Sequence, residues 1–280
     1  MNMPALVSTE WLDERLRKPD IRIADASWYL PQAGRNAKAE YASMHIPGAV
    51  FFDIDDLSDE TSPLPHMLAP APKFADRMRA LGLGGDDLII VYDGAGLYSS
   101  PRAWRMLRAM GHRNVFVLDG GLPKWRREGR PVENLPAQPR RHEFVPHPDR
   151  TIVRNLSQMM ENLQTRAEQV VDARGVARFT AAEPEPRAGV RGGHIPGSTN
   201  IPYTQLTNAD GTLKSQEALR ALFAEKRVDL SAPIVTSCGS GVTAALAMLA
   251  LQVAGAKTVA LYDGSWAEWG AHVEAPVETG

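Results

Sequence analysis

The two halves of this 280-residue chain repeat each other, and this repetition constrains the fold more than any other feature of the sequence. Matching segments recur in the same order in both halves, at a nearly constant offset of about 145 residues. The pairs are Asp25-Ala26 with Asp172-Ala173, His45-Ile46-Pro47-Gly48 with His194-Ile195-Pro196-Gly197, Gly94 with Gly239, and Asp119-Gly120 and Trp125 with Asp263-Gly264 and Trp269. Four matches in the same order indicate a duplicated domain, because chance similarity would produce only an isolated match.

Each half alternates short β-type runs with segments that have the apolar spacing of helices. The predicted strands are 21–24, 88–92, 115–118, 170–172, 234–237 and 258–262, and the predicted helices are 75–81, 101–110, 219–226 and 244–254. This alternation predicts an α/β fold in which each half is a parallel sheet flanked by helices. The proline-rich segment 130–150 is typical of a linker, so we expect an N-terminal domain at 1–129 and a C-terminal domain at 151–280.

Composition and charge exclude several classes of function. The net charge of -2 provides no general attraction for nucleic acid or acidic membranes, and the longest apolar run is too short to cross a bilayer. The seven histidines show no paired metal-binding spacing, and a single cysteine cannot build a thiolate site. We therefore expect no metal, no cofactor, no membrane association and no nucleic-acid partner.

The cysteine count also bears on the compartment. One cysteine cannot form an internal disulfide, and Glu10, Asp13 and Glu14 interrupt the first stretch, where a secretory leader would be apolar. We therefore expect a cytoplasmic protein.

The single cysteine, Cys238, lies where an apolar β-type stretch gives way to a glycine-rich turn and then to a helix. Gly239 and Gly241 allow the turn to direct its backbone N–H groups inward, and the helix adds the positive end of its dipole. This environment favours a nucleophilic thiolate. The alternative is a buried thiol that merely fills the core, as most lone cysteines do. A cysteine-phosphatase loop is excluded because Ala244 stands where that loop would carry its arginine.

The run Cys238-Gly239-Ser240-Gly241-Val242-Thr243-Ala244 resembles the active-site loop of the rhodanese-like sulfurtransferases, and among them that of the members that use 3-mercaptopyruvate. Members that use thiosulfate typically carry arginine and lysine where this chain has Gly239 and Ser240. The resemblance spans nearly the whole chain and implies two tandem rhodanese-like domains. It also implies that Cys238 carries sulfur as a persulfide, which the loop residues Gly239, Gly241, Val242 and Thr243 would surround.

The resemblance also suggests which residues bind the substrate. Arg178 and Arg187 match the arginines that hold the α-keto acid in the family, and a guanidinium suits a carboxylate and its neighbouring carbonyl. Without the resemblance either arginine would be taken for a surface charge. Arg174, Arg191 and Arg102 are further candidates that nothing in the sequence separates from surface residues.

A catalytic triad is a further hypothesis. By position, Ser240, His66 and Asp55 match a serine, histidine and aspartate proposed in the family to act like a hydrolase triad, in which the serine hydroxyl would protonate the departing enolate. The alternative is that Asp55 belongs to a solvated acidic turn and that His66 is a packing residue. The sequence does not separate these two interpretations.

The first half carries Asp93 where the second carries Cys238, so the N-terminal domain is predicted to be inactive. His45 and His194 occur in both halves, which favours a structural turn over a catalytic role, with each histidine bonded to local backbone.

The resemblance implies an enzyme that moves sulfur from 3-mercaptopyruvate through Cys238 to a thiol or cyanide acceptor and releases pyruvate. A thioredoxin-type dithiol is one candidate acceptor. Two alternatives remain open: a thiosulfate–cyanide sulfurtransferase, and a non-catalytic persulfide carrier or binding module.

Overall fold

The computed structural model describes residues 5–139 and 142–280. These residues form two compact units. Unit 1 comprises the chain up to Glu60 together with Leu68–Asp149 and Thr207–Leu213, and unit 2 comprises Thr61–Met67, Arg150–Leu206 and Lys214–Gly280.

Unit 1 is built on a five-stranded parallel sheet with the strand order β1-β5-β4-β2-β3. Its strands are β1 (Leu6–Val7), β2 (Ile21–Asp25), β3 (Val50–Phe51), β4 (Leu88–Tyr92) and β5 (Val115–Leu118). Its helices are α1 (Thr9–Asp13), α2 (Ala37–Ser43), α3 (Ala71–Ala80), α4 (Ser100–Ala109) and α5 (Gly121–Arg127). The strands are almost entirely buried, which is expected for a parallel sheet covered by helices.

Unit 2 repeats this architecture with the strand order β6-β10-β9-β7-β8. Its strands are β6 (Val153–Arg154), β7 (Gln169–Asp172), β8 (Thr199–Asn200), β9 (Ile234–Ser237) and β10 (Val259–Tyr262). Its helices are α6 (Leu156–Thr165), α7 (Val176–Phe179), α8 (Gln216–Glu225), α9 (Val242–Ala254) and α10 (Ser265–Trp269). The identical strand order confirms the predicted duplication and the α/β fold class.

The six predicted strands and four predicted helices are all present, and the helices begin two to four residues earlier than predicted at three of the four sites. The longest helix, α9, is buried on nearly every side. An all-round apolar helix is stable only when it is enclosed, and α9 packs against α8, β9 and β10. The start of α9, next to Cys238, is therefore held by a rigid core.

The units differ from the predicted contiguous domains in two places. Residues 61–67 from the first half belong to unit 2, and residues 207–213 from the second half belong to unit 1, where Leu213 N–H donates to Asp119 over 2.8 Å. Nothing in the local pattern of either segment indicates this assignment.

The predicted linker is not a free connection but is bound along unit 1. Its described residues up to Asp149 group with unit 1, while Arg140 and Arg141 lie outside the described residues. The reason is backbone pairing: Glu133 exchanges hydrogen bonds with His45 at 2.8 and 2.9 Å, and His147 N–H donates to the Met110 carbonyl at 2.8 Å.

The buried end of β2 carries a titratable group that lacks the partner present in the other unit. Asp25 is 1% exposed and accepts hydrogen bonds from the backbone and hydroxyl of Ser27. Its counterpart Asp172 is instead paired with Arg174, two residues further on. Burial without a cation raises the pKa of Asp25 to about 6, although the Ser27 hydrogen bonds act in the opposite direction.

Replacing Asp25 by asparagine should therefore make the protein relatively more stable as the pH rises. Native Asp25 holds its proton up to about pH 6, whereas the unfolded chain releases it near pH 4, so the contribution of Asp25 to wild-type stability falls through this window by about 3 kcal/mol. Asparagine has no such proton, and the stability difference between Asp25→Asn and wild type should grow with pH by this amount. Urea unfolding between pH 4 and 8 measures it.

The matched control is Asp20→Asn, which changes an exposed aspartate just before the same strand. It should leave the pH dependence of wild type in place. A stability difference for Asp25→Asn that does not vary with pH would contradict the raised pKa.

Candidate active site

Cys238 directly follows β9 at the carboxyl edge of the unit 2 sheet and is 2% exposed. Its backbone is tied to the start of α10: Cys238 N–H donates to the Ser265 hydroxyl at 3.3 Å, and the Cys238 carbonyl accepts from Trp266 N–H at 2.9 Å. The Gly239 carbonyl accepts from Ala267 N–H at 3.0 Å. The loop that carries the thiol is thus held by backbone bonds rather than by the thiol itself.

The loop residues predicted to surround the sulfur lie at the amino end of α9. Gly241 is the N-cap of this 13-residue helix and has a φ of +79°, a conformation that favours glycine. Val242 and Thr243 are the first two helical residues, and no side chain of the described residues caps their N–H groups. The first amides of a helix lack intrahelical acceptors and carry the positive end of the dipole, so this loop is suited to an anion.

The corresponding loop of unit 1 surrounds a carboxylate. Asp93 directly follows β4, as Cys238 follows β9, and its carboxylate lies among the amides at the start of α4. One oxygen accepts from Ala95 N–H at 2.8 Å, and the other accepts from the N–H groups of Tyr98, Ser99 and Ser100 at 2.9, 3.0 and 2.8 Å. The Ser100 hydroxyl adds a fifth bond at 2.7 Å. The duplicated loop therefore binds an anion supplied by its own side chain.

Two members of the predicted triad meet in unit 2. Nδ1 of His66 lies 3.0 Å from the Ser240 hydroxyl oxygen, and the two residues are 7% and 6% exposed. His66 has a φ of +59°, which is unfavourable for a residue other than glycine and is typical of functional positions. The contact depends on segment 61–67 belonging to unit 2.

The third member of the triad, Asp55, belongs to unit 1. There its carboxylate accepts a hydrogen bond from the indole N–H of Trp28 at 3.0 Å, and its backbone N–H donates to Asp53 at 3.1 Å. A role for Asp55 beside His66 stays a prediction.

Arg178 lies against the cysteine loop. A Cβ atom built on Gly239 would be only 3.0 Å from Nη2 of Arg178, so the absence of a side chain at 239 leaves room for the guanidinium. Burial acts to lower the pKa of Arg178, but hydrogen bonding and attraction to Glu185, together with attraction to Cys238 and Asp172, raise it above its ordinary value. Arg178 is therefore a permanent cation within electrostatic reach of the thiol.

Sequence reasoning missed the residue that holds this arginine. Glu185 has a side chain that is 3% exposed and accepts from Nε and Nη2 of Arg178 at 3.1 and 2.5 Å. It also accepts from Nη1 of Arg174 at 2.9 Å. The sequence places Glu185 in a Pro-rich segment two residues before Arg187, and nothing there signals burial.

Arg174 and Arg191 have structural roles. The buried Arg174 binds Asp172 through Nε and Nη2 and lies 4.3 Å from the centre of the Trp266 ring. Arg191 donates to backbone carbonyls of the chain's last segment, among them that of Ala275 at 2.8 Å. Arg102 is fully buried in α4 of unit 1.

Arg187 differs from these arginines. It is half-buried, and within residues 5–139 and 142–280 it forms no hydrogen bond or ion pair. Its five N–H donors are therefore available to a ligand.

The two repeated histidines bond to local backbone, as predicted for a structural turn. Nδ1 of His45 lies 2.7 Å from the Tyr41 carbonyl oxygen, and Nδ1 of His194 lies 2.9 Å from that of Phe179. In both units a glutamate clamps the following turn: Gly48 N–H donates to Glu133 and Gly197 N–H donates to Glu278.

Comparison with known proteins agrees with this architecture. The family model described as a rhodanese-like domain matches twice, at residues 8–128 and 154–272. The chain belongs to the rhodanese family. The two matched ranges correspond to the two halves of the duplication, and the second contains the cysteine loop.

Individual rhodanese relatives cover nearly the whole chain. The human 3-mercaptopyruvate sulfurtransferase is 48% identical over 271 residues, which is 95% of this chain and 91% of that protein. The Cricetulus griseus thiosulfate sulfurtransferase is 45% identical over 282 residues, which is 98% of this chain and 94% of that protein. The crystal structure of SseA from Escherichia coli, described among 3-mercaptopyruvate sulfotransferases, superimposes with a TM-score of 0.87 and 43% identity, and the match covers 94% of this chain and 99% of SseA.

Neither a metal-binding cluster nor a membrane-spanning helix occurs among the described residues. No group of three or more histidine, cysteine, aspartate or glutamate side chains in that part of the chain is arranged to hold a metal ion. No helix there has the length and apolar character that a membrane span requires.

Proposed function

We propose that this rhodanese-family protein transfers sulfur from 3-mercaptopyruvate to a thiol or cyanide acceptor, through a persulfide on Cys238, and releases pyruvate. The observation that carries this proposal is the position of Arg178 against Gly239, beside the cysteine that follows β9. A guanidinium at this place offers paired hydrogen bonds to a keto-acid carboxylate next to the nucleophile.

The edge of the Arg178 guanidinium that Glu185 does not occupy defines how a substrate carboxylate would bind. Glu185 occupies the Nε/Nη2 edge of the guanidinium, and Nη1 donates no hydrogen bond within the described chain. The Nη1/Nη2 edge therefore remains for the donor carboxylate. Arg187, whose donors are unused, is the second group we assign to it.

The transfer step conserves atoms and electrons. The Cys238 thiolate attacks the thiol sulfur of mercaptopyruvate, so that an S–S bond forms while the bond between that sulfur and carbon breaks. The electron pair of the broken bond leaves on the carbon as the enolate of pyruvate. The Ser240 hydroxyl protonates this carbon, and His66, 3.0 Å away, exchanges the proton that Ser240 must recover. The persulfide S–H is the final source of the proton.

The persulfide anion would then occupy the loop as the Asp93 carboxylate occupies its counterpart. In unit 1 four backbone N–H groups and one hydroxyl stabilise a single carboxylate at the end of the strand. We assign the amides from Gly239 to Thr243 as the corresponding donors in unit 2, because they lead into the uncapped amino end of α9. Donors held in place by a folded loop stabilise an anion with little reorganisation.

The choice between the two sulfur donors rests on the site rather than on overall similarity. The relatives named 3-mercaptopyruvate sulfurtransferase and those named thiosulfate sulfurtransferase are almost equally identical to this chain. An arginine at position 239 would require a small shift of Arg178 and would add a second cation beside the thiol, which suits the thiosulfate dianion. Glycine at this position therefore favours mercaptopyruvate over thiosulfate. A carrier that does not turn over would have no need of the paired Ser240 and His66.

The acceptor and the location are proposals as well. A thioredoxin-type dithiol is a suitable acceptor because one thiolate can attack the outer sulfur and the second can release it. The cytoplasmic location rests on the single cysteine, which suits a reducing compartment.

The intact mass of the protein tests the proposed function. After brief incubation with 3-mercaptopyruvate, the wild-type protein should gain one sulfur atom, and a thiol reductant should remove it. Thiosulfate in a parallel sample should load the protein more slowly. Cys238→Ser should gain nothing from either donor.

Each other outcome has a definite meaning. Faster loading from thiosulfate would assign the protein to the other donor. No loading from either donor would show that the loop is kept for binding and would overturn the enzymatic proposal.

A further inference from the structure

The histidine turn of unit 2 closes a loop that begins directly after α7. His194 follows Phe179 by 15 residues in the sequence, yet Nδ1 of its ring lies 2.9 Å from the Phe179 carbonyl oxygen. A carbonyl oxygen can only accept a hydrogen bond, so Nδ1 carries a proton and donates it. The two rings also stack, with centroids 3.7 Å apart and planes 8° apart. One side chain thus joins the two ends of residues 180–193, which we call the binding loop.

The same bond in unit 1 closes no such loop. Nδ1 of His45 lies 2.7 Å from the Tyr41 carbonyl oxygen and the two rings stack at 4.3 Å, but the two residues are only 4 positions apart in the sequence. Because the units are duplicates, this difference shows an insertion in the unit that contains Cys238. The inserted residues include Glu185 and Arg187.

Both arginines assigned to the keto-acid carboxylate depend on this closure. Arg178 directly precedes Phe179 in α7, which consists of a single turn, Val176–Phe179. A single helical turn is not stable by itself and needs contacts with the rest of the fold. Arg187 lies within the binding loop, whose far end is His194. A break between His194 and Phe179 would therefore loosen the backbone that carries each arginine.

The ends of the binding loop are buried and closely packed. Phe179 and His194 are 8% and 7% exposed. A Cβ atom built on Gly192 would lie only 2.9 Å from Cβ of Ala181, so the two ends of the loop approach more closely than a side chain at 192 would allow. Ala181 has a φ of +62°, which is unfavourable for alanine. Such a conformation persists only when neighbouring contacts hold it, and the His194 bond is one of these contacts.

We propose that His194 is a positioning residue of the sulfur-transfer reaction: by closing the binding loop, it fixes Arg178 and Arg187 relative to each other so that both reach one keto-acid carboxylate. It acts through the backbone of Phe179 rather than on the reacting atoms. This inference rests on the proposed function and adds the contact that assembles its carboxylate site. The histidine of unit 1 makes the same bond, but no substrate-binding segment depends on it.

Two variants separate the hydrogen bond from the ring. His194→Phe keeps an aromatic ring and removes the donor, whereas His194→Asn removes the ring and keeps an N–H group near the position of Nδ1. The matched control is His45→Phe, which makes the same change at the matching turn of unit 1. Steady-state kinetics with 3-mercaptopyruvate and thermal unfolding should be measured for all three variants.

For His194→Phe we expect the mercaptopyruvate KM to rise about tenfold, the effect of losing one buried hydrogen bond, while kcat stays within about twofold of wild type. Groups that only bind the substrate carboxylate contribute equally before and during the reaction, so their displacement appears in KM. His194→Asn should keep KM within about threefold of wild type, because the donor remains. His45→Phe should lower the unfolding midpoint by a similar amount and leave both KM and kcat unchanged.

Hydrogen exchange of residues 176–183 gives a second readout that does not depend on activity. The N–H groups of Phe179 and Thr180 donate to the carbonyls of Gly175 and Val176 at 3.1 and 2.9 Å. In His194→Phe these amides should exchange about tenfold faster than in wild type, since local opening of α7 becomes easier. In His45→Phe their exchange should not change.

An unchanged KM in His194→Phe, a loss confined to kcat, or an equal rise of KM in His45→Phe would show a merely structural role and overturn the inference. His194→Gln, which moves the amide donor one bond beyond the position of Nδ1, carries the same expectation should the phenylalanine variant fail to fold. Failure of the proposed function is distinct, because wild-type protein would then take no sulfur from mercaptopyruvate. Even then, unchanged hydrogen exchange at α7 would contradict the closing role of His194.

Discussion

Replacing Cys238 by serine should abolish sulfur transfer from every donor and leave the protein folded. The serine hydroxyl occupies nearly the same volume, and only backbone atoms of Cys238 hold the loop to α10. An alkoxide is not formed near neutral pH, and an oxygen cannot carry sulfur as a persulfide. We therefore expect kcat to fall at least about 10⁴-fold, the size of effect seen when a covalent nucleophile is removed.

Steady-state production of pyruvate measures this loss, and thermal unfolding serves as the control for folding. The midpoint of unfolding should stay within a few degrees of wild type, since a single substitution costs about 1 kcal/mol on average. Cys238→Ala should give the same kinetic result, which excludes an effect peculiar to the new hydroxyl. Residual turnover near the wild-type rate in either variant would end the assignment of Cys238 as nucleophile.

Replacing Arg187 by alanine should give the second largest effect, and it should depend on the donor. The guanidinium N–H groups of Arg187 form no hydrogen bond with other described residues, so they are available to the keto-acid carboxylate. Losing a bidentate charged contact should raise the mercaptopyruvate KM by about 10- to 100-fold. Thiosulfate use should fall at most a few-fold, because the lost charge is half-exposed and water weakens its long-range attraction.

Parallel kinetics with the two donors provide the measurement. Lys257→Ala is the matched control: it removes an exposed cation that precedes β10, at the edge of the sheet opposite to Cys238. It should leave both donors unaffected. Losses of equal size for the two donors in Arg187→Ala would contradict a specific role in binding the carboxylate.

Arg178 is less suitable than Arg187 for such a test. Its guanidinium binds Glu185, which in turn binds the buried Arg174, so its removal would leave carboxylate charge buried without a full set of partners. A loss of activity in that variant would combine binding with stability.

Much of the fold could be predicted because its elements depend on local sequence. The strand 234–237 and the helix that ends at Ala254 were placed correctly from apolar periodicity and glycine positions alone. The duplication also explains why the two sheets share one strand order, although that order itself was not predicted. The short edge strands β1, β3, β6 and β8 were not predicted, because two residues show no periodicity.

The site was only partly predictable. Cys238 and the glycines of its loop are a local arrangement, and the sequence alone determined that the thiol follows a strand and precedes a helix. The sequence also determined that Asp93 takes this place in the first half, although the five hydrogen bonds that it accepts became visible only in the structure.

The sequence by itself thus determined the duplication, the α/β architecture and the position of Cys238 between a strand and a helix, whereas the two candidate arginines came from the family resemblance. Only the tertiary structure decided that His66 lies 3.0 Å from Ser240, across 174 residues of chain, and that Glu185 joins Arg174 to Arg178. The physical reason is the range of the interactions involved. Helices, strands and tight turns follow from neighbouring residues, whereas the unit that a loop joins and the partner of a buried charge depend on the packing of the whole fold.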